Sequence, residues 1–272
     1  MPELPEVETI RLTLTPGVVG RTITGVTLDL PKMLQNLSPE DFNAAVMNQR
    51  VAAIDRRGKY LLFRLSGETT LAFHLRMTGQ LTVETANQPA TKATYLKLTL
   101  DDGRELRFRD QRKFGKVFLF PTGKIPAALG KLGPEPLTPE FTLTVFQRCL
   151  SGRKLAIKKA LLNQEIIAGI GNIYADEALF VAGILPLRSL ESLNEGEVAK
   201  LYEAIRKVLR EGIKFRGTTK RDYRDGAGNP GSYQDHLRVY GRKGLPCPVC
   251  RTPIVRISLG GRGAHFCPIC QR

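Results

Sequence analysis

The sequence predicts an α+β protein in two parts: a β-sandwich led by a helix, then a helical domain closed by a four-cysteine finger. Three observations carry this expectation. Short β-rich runs follow one another closely from Arg21 to Phe120, helical periodicity takes over beyond Pro139, and two Cys-x-x-Cys pairs stand near the C-terminus. At 272 residues the chain also exceeds the usual size of one domain.

Taken in order, the first element is a helix of about ten residues. Glu6 and Glu8 follow Pro5 as a first-turn signal, Val7, Ile10 and Leu14 recur at helical spacing, and Pro16-Gly17 ends the run. Strands are expected over residues 23–30, 51–57, 60–65, 71–77, 95–100, 105–109 and 117–120. One helix interrupts them, with Ser38 as N-cap and Pro39 at its first position. Strands at such close intervals predict a sandwich over residues 1–122. The Pro- and Gly-rich stretch 123–139 reads as a linker.

Helices are expected over 143–150, 154–162, 174–181 and 195–215, the last opened by the capping-box pair Asn194 and Glu197. Residues 216–231 are rich in glycine and charge and read as a mobile loop, which completes a domain over 140–235. The finger occupies 236–272. Cys149 stands alone in a predicted helix, as a small packing residue.

Charge narrows the partners. Lys and Arg number 41 against 26 Asp and Glu, a formal charge of +15 that attracts polyanions, and nucleic acid leads over an acidic membrane surface or a merely soluble basic protein. No apolar run approaches the roughly 20 residues of a membrane span, and the start lacks a secretory pattern, so a cytoplasmic protein is expected. In a reducing compartment, close cysteine pairs more often hold metal than form disulfides.

Three stretches carry candidate chemistry. Cys247-Pro-Val-Cys250 and Cys267-Pro-Ile-Cys270, sixteen residues apart, have the spacing of a two-knuckle tetrahedral zinc site. Four thiolates leave no place for a reactive water, so one structural ion is expected. Between the pairs a turn would present Arg262 at its tip, although a solvated turn explains it equally well. Gly169-Ile-Gly171 opens a helix whose free N–H groups suit a phosphate, with Asn172 as cap and Arg153, Lys154, Lys158 and Lys159 nearby. A plain helix connection is the competing reading.

The first eight residues, Met-Pro-Glu-Leu-Pro-Glu-Val-Glu, are the third stretch. Removal of Met1 would leave Pro2 with a free secondary amine. An α-amine of pKa about 8 is roughly a tenth unprotonated at neutral pH, far more than a lysine. Glu3 and Glu6 would flank it as proton donors and acceptors. From spacing alone, an ordinary helix start with dipole-complementing acids remains the better reading.

These eight residues, Gly-Lys-Tyr at 58 to 60, His-Leu-Arg-Met at 74 to 77, Gln-Arg-Lys-Phe-Gly at 111 to 115, Gly-Ile-Gly-Asn-Ile-Tyr-Ala-Asp-Glu at 169 to 177 and the four-cysteine finger together resemble the bacterial formamidopyrimidine-DNA glycosylases. The resemblance runs from end to end. It implies a helix-two-turns-helix domain before the finger, and base-excision repair of 8-oxoguanine and formamidopyrimidines in double-stranded DNA. Base removal would be followed by cutting at the abasic site, through a Schiff base on Pro2.

It implies roles residue by residue. Pro2 matches the nucleophile and Glu3 its acid/base partner. Lys59 and Asn172 match phosphate-binding positions around the lesion, and Arg262 matches the finger arginine. Lys59 and Arg262 are grouped with the catalytic set, and Lys154 with DNA binding. His74 lies on the strand facing DNA, where a packed histidine is the alternative. Met77, Arg112 and Phe114 match the trio inserted into the base stack, where side chains replace the flipped nucleotide. Glu6, Thr218, Thr219 and Tyr223 form the expected lesion-recognition group. Leu4 favours the oxidised-purine branch over the endonuclease VIII type, which usually begins Met-Pro-Glu-Gly-Pro-Glu. A non-catalytic zinc protein that binds damaged DNA is the alternative from another class. A monomer is expected. Asn163, Ala93 and Arg216 depart from the common Asp, His and Gly, which bears on substrate preference.

Overall fold

In the computed structural model, which describes residues 1–35 and 37–272, helix α1 spans Leu4–Val18. It is longer than predicted because Pro16 sits within its last turn, where only one ladder bond is forgone. Val7, Ile10, Leu14 and Val18 form its buried stripe. Eight strands follow: β1 (Ile23–Leu28), β2 (Val51–Arg57), β3 (Tyr60–Leu65), β4 (Thr69–His74), β5 (Gly79–Thr85), β6 (Thr94–Leu100), β7 (Arg104–Asp110) and β8 (Lys116–Pro121). They form two antiparallel four-stranded sheets, ordered β1-β6-β7-β5 and β2-β3-β4-β8. Inward-facing Phe63, Phe73 and Phe108 meet edge to face between them, with ring centroids 5.3 and 5.6 Å apart. Between β1 and β2, α2 (Pro39–Val46) begins as predicted, with Ser38 Oγ accepting from the Asp41 N–H. A short turn of helix, α3 (Ala127–Gly130), follows β8.

Two strand expectations need correction. The run 71–77 ends as a strand at His74, because Arg76 takes a left-handed φ of 55° and the Gly79 N–H turns back to the Leu75 carbonyl at 3.0 Å. Met77 therefore lies on a connection. Strand β5 was not foreseen: only Leu81 and Val83 alternate in it, and it follows the preceding run with Thr78-Gly79 as sole punctuation.

The chain forms two compact units, residues 1–130 with 215–232 and residues 131–214 with 233–272. The glycine-rich segment after the long helix thus packs with the sandwich, where continuity along the chain would put it with the helices. It is tied down: the Gly226 N–H donates to Thr13 Oγ1 at 2.9 Å, and the Val83 N–H to the Gly226 carbonyl at 3.0 Å.

The second unit holds α4 (Leu143–Leu150), α5 (Ile157–Leu162), α6 (Asn172–Ala182), α7 (Glu195–Lys214) and the hairpin β9 (Val255–Leu259) and β10 (Arg262–Phe266). Helix α5 starts later than predicted because Ala156 bridges Ser189 in extended form. Asn194 and Glu197 make the predicted reciprocal capping bonds, both 2.9 Å. Helix α7 buries Leu201, Ile205, Val208 and Leu209. No helix among the described residues is long and apolar enough to cross a membrane.

Candidate active site and nucleic-acid interface

At the chain start, Met1 is 41% exposed whereas Pro2 and Glu3 are buried. Glu3 is the N-cap of α1 and forms a reciprocal box with Glu6, whose Oε2 accepts the Glu3 N–H at 2.8 Å. The second Glu6 oxygen, Oε1, accepts the Thr218 N–H at 2.8 Å, and the Tyr223 hydroxyl reaches the Glu6 carbonyl at 3.4 Å. One buried carboxylate thus joins the helix start to the 215–232 segment. Gly217 is required beside it: its φ is +81°, and an added Cβ would stand 2.8 Å from Glu6 Cγ. Burial and the Glu6 charge push the Tyr223 phenol well above its ordinary value, so it stays a neutral donor.

Thr219 Oγ1 donates to the Tyr223 carbonyl at 3.3 Å and accepts the Gly231 N–H at 2.9 Å. Thr218 Oγ1 is buried and has no hydrogen-bond partner among the described residues. Arg216, at φ +59°, offsets its strained backbone with an ion pair to buried Asp225, whose Oδ1 accepts the Ala227 and Asn229 N–H groups at 2.9 Å each. The segment read as a mobile loop is a hydrogen-bonded structure around Glu6.

Lys59 follows the left-handed Gly58 in the β2–β3 hairpin and is only 6% exposed. His74 ends β4, edge to face with Tyr60 at 4.5 Å between centroids. Its Nδ1 accepts the Arg76 N–H at 3.1 Å. Burial first, then the charges of Arg76 and Lys59, pull its pKa from 6.5 to about 3. His74 is therefore neutral with the proton on Nε2, a donor of fixed tautomer. Because the folded pKa is depressed, its contribution to stability is complete above pH 6.5 and is lost as pH falls toward 3. Wild type should lose about 2 kcal/mol more than His74→Gln between pH 6.5 and 5, by urea unfolding. Parallel pH slopes in the two proteins would refute the shift.

Met77 (39% exposed) and Phe114 (49% exposed) project from the β4–β5 and β7–β8 connections. The Arg112 guanidinium lies 4.8 Å from the Phe114 ring centroid. Ala93, where a histidine is common, is buried and its carbonyl accepts the Asp110 N–H at 2.9 Å.

The remaining expected residues lie in the second unit. Asn172 is the first residue of α6, and Gly171 is its N-cap, which corrects the expectation that Asn172 caps the helix. Its Oδ1 is buried with no hydrogen-bond partner among the described residues. Lys154 is exposed, 3.6 Å from Glu191. Arg262 is exposed just after Gly260 and Gly261, whose φ of 58° and 74° form the hairpin turn. Asn163 Oδ1 accepts the Glu165 N–H at 2.9 Å, a local turn bond.

The sulfurs of Cys247, Cys250, Cys267 and Cys270 lie within 4.8 Å of one another. Tetrahedral zinc with bonds of about 2.3 Å needs sulfurs about 3.8 Å apart, so the residues fit the ion. Each knuckle turns a backbone N–H onto its first sulfur, Val249 onto Cys247 and Cys270 onto Cys267, at 3.4 Å. The finger is fixed to α6 by two adjacent buried carboxylates. Asp176 Oδ2 accepts the His265 N–H at 2.9 Å and faces its Nδ1 at 3.0 Å, while Asp176 Oδ1 pairs with Lys158 at 2.5 Å. Glu177 accepts the N–H groups of Arg238, Val239 and Tyr240, each at 2.9 Å. Sequence reasoning missed this pair, since acids inside a helix read as surface.

Residues 1–117 match the profile of the formamidopyrimidine-DNA glycosylase N-terminal domain, residues 132–224 that of its H2TH domain, and residues 244–272 that of the zinc finger found in FPG and IleRS. The chain is 50% identical over 272 residues to the formamidopyrimidine-DNA glycosylase of Herpetosiphon aurantiacus, covering all of both chains. It is 51% identical over 273 residues to that of Symbiobacterium thermophilum, covering all of this chain and 89% of the other. Among solved structures it resembles the Fpg protein of Thermus thermophilus, with a TM-score of 0.90, 44% identity and coverage of 99% and 98%. It also resembles Lactococcus lactis Fpg in complex with DNA containing an abasic site, with a TM-score of 0.93, 37% identity and 99% coverage of both.

Proposed function

The chain belongs to the formamidopyrimidine-DNA glycosylase family, and from this premise we propose that it excises 8-oxoguanine and formamidopyrimidines from double-stranded DNA and then cuts the strand. The observation that carries the reading is the buried chain start, where Pro2 and Glu3 lie beside a carboxylate that also holds the 215–232 segment. It is a zinc-finger enzyme of base-excision repair, and it works in the cytoplasm as a monomer. Zinc, held by the four cysteines, supplies shape to the finger.

Loss of Met1 frees the Pro2 nitrogen as a secondary amine. That nitrogen attacks C1′ of the damaged nucleotide, the glycosidic bond breaks, and the base departs. Glu3 protonates the sugar ring oxygen as the ring opens, leaving a cationic iminium. The iminium acidifies the C2′ proton, whose removal expels the 3′ phosphate; a second elimination expels the 5′ phosphate, and water releases Pro2. Glu6, Thr218, Thr219 and Tyr223 receive the extruded base, with the unpartnered Thr218 hydroxyl available to it. Met77, Arg112 and Phe114 fill the gap it leaves. Lys59, His74, Lys154, Asn172 and Arg262 hold phosphates.

Borohydride trapping on a duplex containing 8-oxoguanine, followed by mapping of the cross-linked peptide, tests this assignment. The adduct should lie on a peptide that begins at Pro2; an adduct on Lys59 would overturn it. Phosphate contacts are tested by salt: Lys59→Ala and Arg262→Ala should each lower the slope of log affinity against log salt by about one unit. An unchanged slope in both would remove those contacts.

A further inference from the structure

We propose that Asp110 and Thr78 form a buried clasp that joins the two connections bearing Met77, Arg112 and Phe114, so that the three side chains enter the base stack as one unit. The inference rests on the gap-filling role given to those residues above. The topology places the two connections side by side. Strand β4 pairs with β8 and β5 pairs with β7, so both connections cross from one sheet to the other between the same strand ends. His74 opposite Lys116 frames one end, and Gly79 opposite Asp110 frames the other.

The Asp110 carboxylate is fully buried between them. Its Oδ2 accepts the Gly115 N–H at 2.6 Å. Its Oδ1 accepts the Arg112 N–H at 3.2 Å and the Thr78 hydroxyl, and that hydroxyl in turn accepts the Arg112 N–H at 3.1 Å. The carboxylate therefore holds both ends of the β7–β8 connection, and Thr78 is the link across to the β4–β5 connection. One glycine in each connection permits a close approach. A Cβ on Gly79 would lie 2.3 Å from the Leu75 carbonyl oxygen, and one on Gly115 2.5 Å from Phe108 Cζ. Arg76 and Lys113, with φ of 55° and 58°, complete the two tight turns.

A buried carboxylate costs several kcal/mol to desolvate unless its lone pairs are filled, and here backbone N–H groups and one hydroxyl fill them. Thr78 and Asp110 are positioning residues. They set the spacing between Met77 on one side and Arg112 and Phe114 on the other, and neither projects toward the base stack.

The test is a set of variants of the full-length, zinc-loaded protein. Thr78→Val removes the hydroxyl at constant shape, and Thr78→Ser restores it; Asp110→Asn is added where it folds. Excision of 8-oxoguanine from intact duplex should fall about tenfold in Thr78→Val and recover to within about twofold in Thr78→Ser. Cutting of a preformed abasic site in single-stranded DNA, which has no stack to fill, should fall less than excision does. The deciding readout is coupling. In the wild-type background Met77→Ala and Arg112→Ala should be non-additive in excision rate, and in the Thr78→Val background they should become additive. Thr78→Val at the wild-type excision rate, or coupling that survives it, would overturn the clasp. If Met77→Ala and Arg112→Ala leave excision unchanged in the wild-type background, the gap-filling role fails, and the clasp falls with it.

Discussion

An alanine inserted between Met1 and Pro2 is expected to abolish both base excision and strand cutting, by on the order of 10³-fold or more. The insertion turns the Pro2 nitrogen into an amide, whose lone pair is delocalised and carries no useful basicity. DNA binding should survive, because the added residue extends from Met1, which is exposed, and Glu3 keeps its capping box. The trapped complex should vanish in step with activity. Glu3→Gln separates the steps: it keeps the shape but cannot give up a proton, so excision of intact lesions should be lost while some cutting at preformed abasic sites remains. An insertion variant that still traps at the wild-type rate would move the nucleophile elsewhere, with Lys59 the first alternative to test.

Removal of zinc is expected to weaken DNA binding on the order of 100-fold or more while the β-sandwich remains folded. The finger has little else to hold its two knuckles together, since the Asp176 and Glu177 bonds reach only residue 265 and residues 238–240. Its apolar cluster is Phe180, Val239, Cys247, Ile254 and Cys267, so two of its five buried members are themselves ligands. Structural zinc contributes about 10 to 16 kcal/mol in isolated fingers, more than so small a cluster supplies. Without the ion the sulfurs take up protons and lose their common centre, the two knuckles come apart, and Arg262 loses its position. Chelator-treated protein should keep the circular dichroism of its strands but lose retention on an abasic-site duplex. Full affinity after verified loss of the metal would show that the finger is dispensable for binding.

The sandwich was legible because its signals are local. The short β-rich runs of β2 and β3 and the Ser38 cap each depend on residues a few positions apart, as does the Asn194 and Glu197 box of α7, and each stands where the sequence put it. The cysteines were legible because ligand spacing is fixed by bond lengths. What escaped depends on contacts distant in sequence. Glu6 meets Thr218 across 212 positions, and Asp110 meets Thr78 across 32. No periodicity encodes such pairings. For the same reason the 215–232 segment looked solvated: its charge and glycine content are those of a surface loop, whereas Glu6, Thr13 and β5 supply the partners that order it. Asn172 was misjudged on a subtler point, since a residue one place inside the helix start has the right composition for a cap and the wrong backbone geometry.

Adjacent acids in the middle of α6 have a mechanical result. Successive helical side chains diverge by about 100°, so Asp176 and Glu177 grip two different pieces of the tail, residue 265 and residues 238–240. Two grips in different directions remove the freedom to pivot that one would leave. The finger cannot swing about α6 without exposing a fully buried charge, so Arg262 and Asn172 are carried at a constant separation, like the points of a locked divider. If the phosphate sites proposed at Arg262 and Asn172 are used, their span is therefore set before any DNA is met.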